Sequence, residues 1–210
     1  MISENEWRNA LIKRHGLDLY KQFASATVAV CGLGGLGSNI AIALARAGIG
    51  KLLLIDYDRV DITNLHRQQY KANQIGLYKT HALADNLSEI APYTEVKTVT
   101  AKITEENFTD FLKEADIVCE AFDHAESKAM LVNGVLEQLH NCYLVAASGM
   151  AGMNTPNTIK TRKIMKRFYL CGDEVSDVAD TIGLVAPRVM LCAAHQAHTV
   201  LRILAGEYEV

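Results

Sequence analysis

Four glycines crowd one turn, Gly32-Leu-Gly-Gly-Leu-Gly37, directly after an apolar run that ends at Cys31. A turn of this kind opens a helix with bare backbone N–H groups, at the end of the dipole where a phosphate is favoured. The same Gly32, Gly34, Gly35 and Gly37 would also serve merely to let the chain turn tightly. Next comes Leu53-Leu-Ile-Asp-Tyr-Asp58. A carboxylate ending the second strand, here Asp56, accepts hydrogen bonds from ribose hydroxyls; Asp58 binds there too or orders the loop. Any nucleotide-binding strand–helix–strand unit has these two features, a dehydrogenase included. The third feature points elsewhere. Thr63-Asn-Leu-His-Arg-Gln-Gln69 sets an amide, Asn64, and a cation, Arg67, beside the phosphates, where hydride transfer has no use for them. The forked guanidinium suits phosphate. Lys79 opens a helix, a position the dipole disfavours for a cation and a polyphosphate partner would explain.

These residues must be held by a regular frame. Residues 3–15 read as a short amphipathic helix, with Trp7, Leu11 and Ile12 on one side and Gly16 as the stop. Thr27–Cys31 is a buried strand, Ser38–Ala47 the helix behind the glycine turn, and Lys51–Asp56 the second strand. Lys79–Ile90 is helical and ends before Pro92; Thr94–Val99 is a strand by its β-branched content. Thr104 caps a helix through Lys113, with Glu105 and Glu106 in its first turn. Then follow a strand over Ile117–Glu120, a helix over Ser127–Leu139 and a strand over Tyr143–Ala147. Alternation of this kind means an α/β fold, a Rossmann-like, doubly wound and mostly parallel sheet, with ligands beyond the carboxyl ends of its strands. Gly32–Gly37, Asp56–Asp58 and Phe122-Asp123 all fall there. After Ser148 the pattern shifts to a loop, a strand over Thr158–Lys163, a polar and mobile stretch over Leu170–Leu184, and a helix over Arg188–Leu204.

Composition narrows the class. The chain has 210 residues, half of them hydrophobic and 21% charged, with a net charge of −3. That is globular composition with no sign of a nucleic-acid partner or an anionic membrane surface. The start, Met1-Ile-Ser-Glu-Asn-Glu-Trp7, carries no basic, apolar leader, and Ile182–Ala205 is interrupted by Pro187, Arg188, His195, His198 and Arg202. A soluble, cytoplasmic protein is expected. The five cysteines include no C-x-x-C pair, which argues against structural zinc and against a disulfide framework. Cys31, Cys119 and Cys142 fall in or beside buried strands, whereas Cys171 falls in a polar, exposed loop.

Taken together, Gly32–Ser38, Asp56-Tyr-Asp58, Asn64-Leu-His-Arg-Gln68, Gly76-Leu-Tyr-Lys79, the Asp123 segment, His195-Gln-Ala197 and Leu204-Ala-Gly206 resemble the family of ThiF and MoeB, bacterial relatives of the ubiquitin-activating enzymes. The resemblance runs from about Arg8 to Gly206. It implies one adenylyltransferase domain over residues 1–210, with an N-terminal helix (1–16), a nucleotide-binding core (27–147) and a carrier-binding, crossover part (148–210). It implies ATP and Mg2+ as cofactors and adenylation of the C-terminal glycine carboxylate of a ubiquitin-like sulfur carrier. In those terms Gly32, Gly34, Gly35, Gly37, Asp56, Asp58, Asn64, Arg67 and Lys79 hold the nucleotide, and Arg67, Lys79 and Asp123 act in catalysis. Asp123 is the magnesium ligand, and Glu120 keeps a second carboxylate where the family has an aspartate. Lys128 reads as a surface or loop-anchoring residue. An arginine near the N-terminus, Arg8 or else Arg14, reaches the partner's site in a homodimer.

Within the family the short, zinc-less form is similar to ThiF proteins of thiamine biosynthesis, acting on a ThiS-like carrier. A molybdopterin-pathway carrier, or a carboxylate on a tRNA base as in threonylcarbamoyladenosine dehydratase, would use the same chemistry; Lys160–Arg167 is the one hint of an RNA surface. Some relatives have a catalytic cysteine that would fall near Ala179; Cys171, eight residues earlier, stands in the same loop. A scaffold-type relative without turnover would lack counterparts of Arg67, Lys79 or Asp123, and all three are present. The plain NAD-dehydrogenase reading rests on the glycine pattern alone.

Overall fold

A computed structural model describes residues 2–210. Its frame is one seven-stranded sheet: β1 (Thr27–Cys31), β2 (Lys51–Ile55), β3 (Glu95–Val99), β4 (Ile117–Glu120), β5 (Tyr143–Ala147), β6 (Lys160–Met165) and β7 (Phe168–Gly172). The strand order is β3-β2-β1-β4-β5-β7-β6, parallel throughout except for β6, which runs antiparallel to β7. This is the doubly wound arrangement expected from the sequence. β1, β2, β4 and β5 are near-continuous apolar runs because helices cover both faces of the sheet. Alternate residues of β1 therefore enter different cores. Val28 and Val30 pack with Ile40, Leu44, Leu83 and Val200 of α3 (Gly35–Ala47), α4 (Lys79–Ile90) and α7 (Ala186–Leu204). Ala29 and Cys31 pack with Phe108, Leu112, Leu131 and Val135 of α5 (Phe108–Leu112) and α6 (Ala125–Gln138).

The topology reverses between β1 and β4, whose ends are paired in register at Cys31 and Glu120. A crevice must open there, because the connections leaving the two strands diverge to opposite faces. Among the described residues, no helix is long and apolar enough to cross a membrane.

Four local expectations need correction. Gly16 stops α1 (Glu4–His15) but not the helical path: with φ +83° it bends the chain into α2 (Leu17–Ser25), absent from the sequence reading. The helix placed at Thr104 is short. Thr104 and Asn107 close a turn, and α5 begins only at Phe108. The polar stretch from Leu170 does not start as a loop, because Leu170, Cys171 and Gly172 complete β7. Cys171 is consequently fully buried rather than exposed, and the other four thiols are buried as well. Burial pushes its pKa up to about 11, the opposite of an activated thiol.

α1 lies at the end of the sheet away from the crevice. Leu11 abuts Gly48 before β2, and the Tyr93 hydroxyl before β3 donates to the Ile2 carbonyl (2.6 Å).

Candidate active site

Beyond the carboxyl ends of β1, β2, β4 and β5 the chain encloses a cleft of about 520 Å³. The glycine turn forms its floor, and the glycines differ in what they do. A side-chain carbon on Gly37 would lie 1.8 Å from the Gly32 carbonyl oxygen, and Gly32 itself sits at φ +89° under Ala121. Those two positions are required by packing, and Gly37 lies behind the turn, outside the cleft lining. Gly34 is different. A carbon there would meet only the Gln68 amide at 3.7 Å, an ordinary contact. Gly34 also caps α3 with no side-chain hydrogen bond to the first-turn N–H groups, which leaves donors for an anion.

Asp56, at the end of β2, is buried and braces this floor. Its Oδ2 accepts from the Leu33 N–H (2.6 Å) and its Oδ1 from the Asp58 N–H (2.7 Å). Burial raises its pKa, and the nearby Lys79 ammonium works against that rise. The carboxylate expected to bind ribose is thus also the group that shapes the glycine turn.

The two cations arrive from separate segments. Lys79, nine-tenths buried at the first residue of α4, donates to Asp58 Oδ2 (2.7 Å), while Asp58 keeps half its side chain exposed. Arg67 sits on the turn after β2 and donates through Nη2 to Asn64 Oδ1 (3.0 Å). Its Nε is buried without a partner. The turn is stitched to α3: Asn39 donates to the Arg67 carbonyl (3.3 Å), and the Gln69 N–H donates to the Ser38 hydroxyl (3.2 Å). Asp123, after β4, presents a side chain that is 89% exposed. Its charge reaches Arg67 and opposes the burial that lowers the guanidinium's pKa.

So Gly32, Gly34, Gly35, Asp56, Asp58, Asn64, Arg67, Lys79 and Asp123 share one cleft. Arg8 and Arg14 do not; both are exposed on α1, at the far end of the sheet. Glu120 is not beside Asp123 as a second metal carboxylate. It is fully buried, and its Oε1 accepts from Lys128 Nζ (2.9 Å) and the Phe122 N–H (2.7 Å). Lys128 in turn donates to the Phe122 carbonyl (2.9 Å), so it anchors the loop that carries Asp123 while lining the cleft itself.

A second wall was not legible in the sequence. Arg188 and Asp173, both buried, pair at 2.5 Å. Arg188 also donates to the carbonyls of Ala151, Asn154 and Thr155 and to the Thr158 hydroxyl. Asp173 Oδ1 accepts from the Ser176 and Val175 N–H groups and the Ser176 hydroxyl. Burial alone would raise the Asp173 pKa, but these bonds together with Arg188 lower it. The pair pins residues 148–158 and the crossover segment 173–185 over the cleft. The signal available was thin: one arginine after Pro187 and one aspartate in a polar stretch, fifteen residues apart.

The ThiF family model matches residues 7–210. The chain belongs to the ThiF family. It is 28% identical over 208 residues to the adenylyltransferase and sulfurtransferase UBA4 of Lodderomyces elongisporus, covering 96% of this chain and 45% of that protein. It is 32% identical over 185 residues to ubiquitin-like modifier-activating enzyme 5 of Bombyx mori, with coverages of 87% and 43%. This ThiF-family chain therefore spans less than half the length of those two curated relatives. Among solved structures it superimposes on E. coli tRNA N6-threonylcarbamoyladenosine dehydratase, TcdA, in complex with ATP. The TM-score is 0.87 at 23% identity, covering 99% of this chain and 98% of that one. E. coli MccB matches with a TM-score of 0.72 at 22% identity, covering 98% and 67%. At those identities the structural matches establish the ThiF fold.

Proposed function

We propose that the protein is an ATP-dependent adenylyltransferase that activates a carboxylate, the C-terminal glycine of a ThiS-like, ubiquitin-like sulfur carrier for thiamine biosynthesis. The carrying observation is the convergence of the glycine turn, Asp56, Asn64, Arg67, Lys79 and Asp123 on one cleft of nucleotide size. Family membership and the ATP complex of TcdA support the ATP-dependent activation in this reading, not the choice of carrier.

The chemistry asks little covalent work of the chain. A carboxylate oxygen attacks the α-phosphorus, its new P–O bond forms as the bond to pyrophosphate breaks, and no proton moves. What the reaction needs is two anions held together and charge neutralised as pyrophosphate leaves. The bare N–H groups of α3 and the side chains of Arg67 and Lys79 supply that, with Asn64 aiming the guanidinium. Asp56 holds the ribose and the turn at once.

Among the described residues no cluster of three or more histidine, cysteine, aspartate or glutamate side chains could hold a metal. One exposed carboxylate on the cleft, Asp123, fits an ion bound mainly through substrate phosphates and water, as Mg2+ is. Bound there, Mg2+ would supply charge neutralisation at the phosphates. Sulfur comes from elsewhere, because no thiol opens into the cleft. Arg8 serves only if a second copy brings it to this site, so the reading includes a homodimer with composite sites. Residues 148–210 would form the carrier-binding part.

A second reading, activation of a carboxylate on tRNA, draws on the match that spans 98% of TcdA. Against it, the basic strand β6 is partly neutralised: Arg162 pairs with Glu174, and Lys163 with Glu209. ATP–pyrophosphate exchange separates the two. Exchange that requires an intact Gly-Gly carrier tail and fails with a truncated tail supports the first reading. Exchange elicited by threonylcarbamoyladenosine-containing tRNA replaces it, and stabilisation by NAD but not by ATP would sink both.

A further inference from the structure

His66 stands between the phosphate-side arginine and the crossover segment, and its ring faces more partners than one protonation state can serve. Nδ1 lies 3.0 Å from the Thr63 carbonyl oxygen. Nε2 lies 3.2 Å from the Leu184 carbonyl oxygen and 3.3 Å from Arg67 Nη1. A carbonyl only accepts and a guanidinium only donates. Nδ1 must therefore carry a hydrogen. With Nε2 bare, the ring accepts from Arg67 and leaves Leu184 unbonded. With Nε2 protonated, the imidazolium donates to both carbonyls and repels Arg67. The two bonds at Nε2 exclude each other.

Building on the adenylation reading, we infer that His66 is a positioning residue that couples occupancy of the phosphate site to closure of the crossover segment. When an anion draws Arg67 away, Nε2 loses its donor, takes up a proton and holds the Leu184 carbonyl. Segment 173–185, already pinned at its start by Asp173 and at its exit by Arg188, is then fastened at its end. Arg67 is the charged group within hydrogen-bond reach of the ring among the described residues. Asp61 opens the same turn and accepts from Thr63, and the crossover segment carries Asp177 and Asp180. Leu184 lines the cleft, so fastening its carbonyl fixes that part of the cleft wall.

The test is amide hydrogen exchange of residues 179–185 in the full chain, with and without ATP and magnesium, in wild type, His66→Ala and His66→Gln. ATP should slow exchange in the wild type about fivefold, the factor one hydrogen bond supplies. His66→Ala should bind ATP but lose the protection, with a raised KM for the carboxylate substrate. His66→Gln, whose amide can donate to the Leu184 carbonyl, should restore the protection and the KM. Equal ATP-induced protection in wild type and His66→Ala, or no rescue by His66→Gln, would overturn the coupling. Wild type that binds no ATP would instead overturn the adenylation reading, and the coupling with it.

Discussion

The two walls of the cleft are built on different plans. On the β1–β2 side, contacts run between neighbours in sequence or across one strand–helix unit: Asp56 to Leu33 and Asp58, Arg67 to Asn64, Lys79 to Asp58. On the β7–α7 side, one buried ion pair gathers two loops and a helix from residues 151 to 188. The first wall leaves polar groups open to a ligand, as the half-exposed Asp58 carboxylate shows. In the second, the charged pair is spent on the protein itself. One wall is made to bind and the other to hold shape.

Substitutions should separate these plans. Asp173→Ala leaves Arg188 charged and buried, so chemical denaturation should show a loss of about 3–5 kcal/mol, with nucleotide contacts on the opposite wall intact. A loss under about 1 kcal/mol would mean the pair is dispensable. Arg67→Ala or Lys79→Ala should reverse the pattern. Pyrophosphate exchange should fall roughly 100- to 1,000-fold, while the melting transition stays near wild type.

The carboxylates on the two walls should also titrate with opposite sign. Asp56 has its folded pKa raised by burial. A raised carboxylate holds its proton longer in the folded state, so stability relative to Asp56→Asn falls as pH rises from about 4 through the folded value. Asp173 has a lowered folded pKa. Its advantage over Asp173→Asn should be present above about pH 4 and vanish as pH falls through the folded value. Denaturant midpoints across that range decide it; slopes of one sign would merge the two walls. The smallest effect belongs to Cys171→Ala, expected to cost about 1 kcal/mol of stability and leave pyrophosphate exchange unchanged.

This contrast also explains what could be read in advance. β4 and β5 have the bounds their apolar runs imply, and the β1–β2 cleft residues lie together because local spacing places them at strand ends. Where long-range packing decides, the reading thins. α2 is not legible because Gly16 reads as a stop, although the same glycine merely bends the path. Leu170–Gly172 reads as polar loop because Gly172 and Asp173 follow the cysteine, yet pairing with β5 and β6 draws it into the sheet. Glu120 and Lys128 each resemble surface or metal groups until the burial of one and the reach of the other show them as a pair. No local pattern announces Arg188 with Asp173.

The five cysteines have a practical consequence. None reaches solvent by more than 6% of its surface. To a maleimide or an iodoacetamide the folded chain is therefore blank, and a cysteine installed at the exposed Ala179 would be the single reactive handle. A fluorophore there would report the crossover segment alone, in otherwise unaltered protein, and modification of any native thiol would signal unfolding.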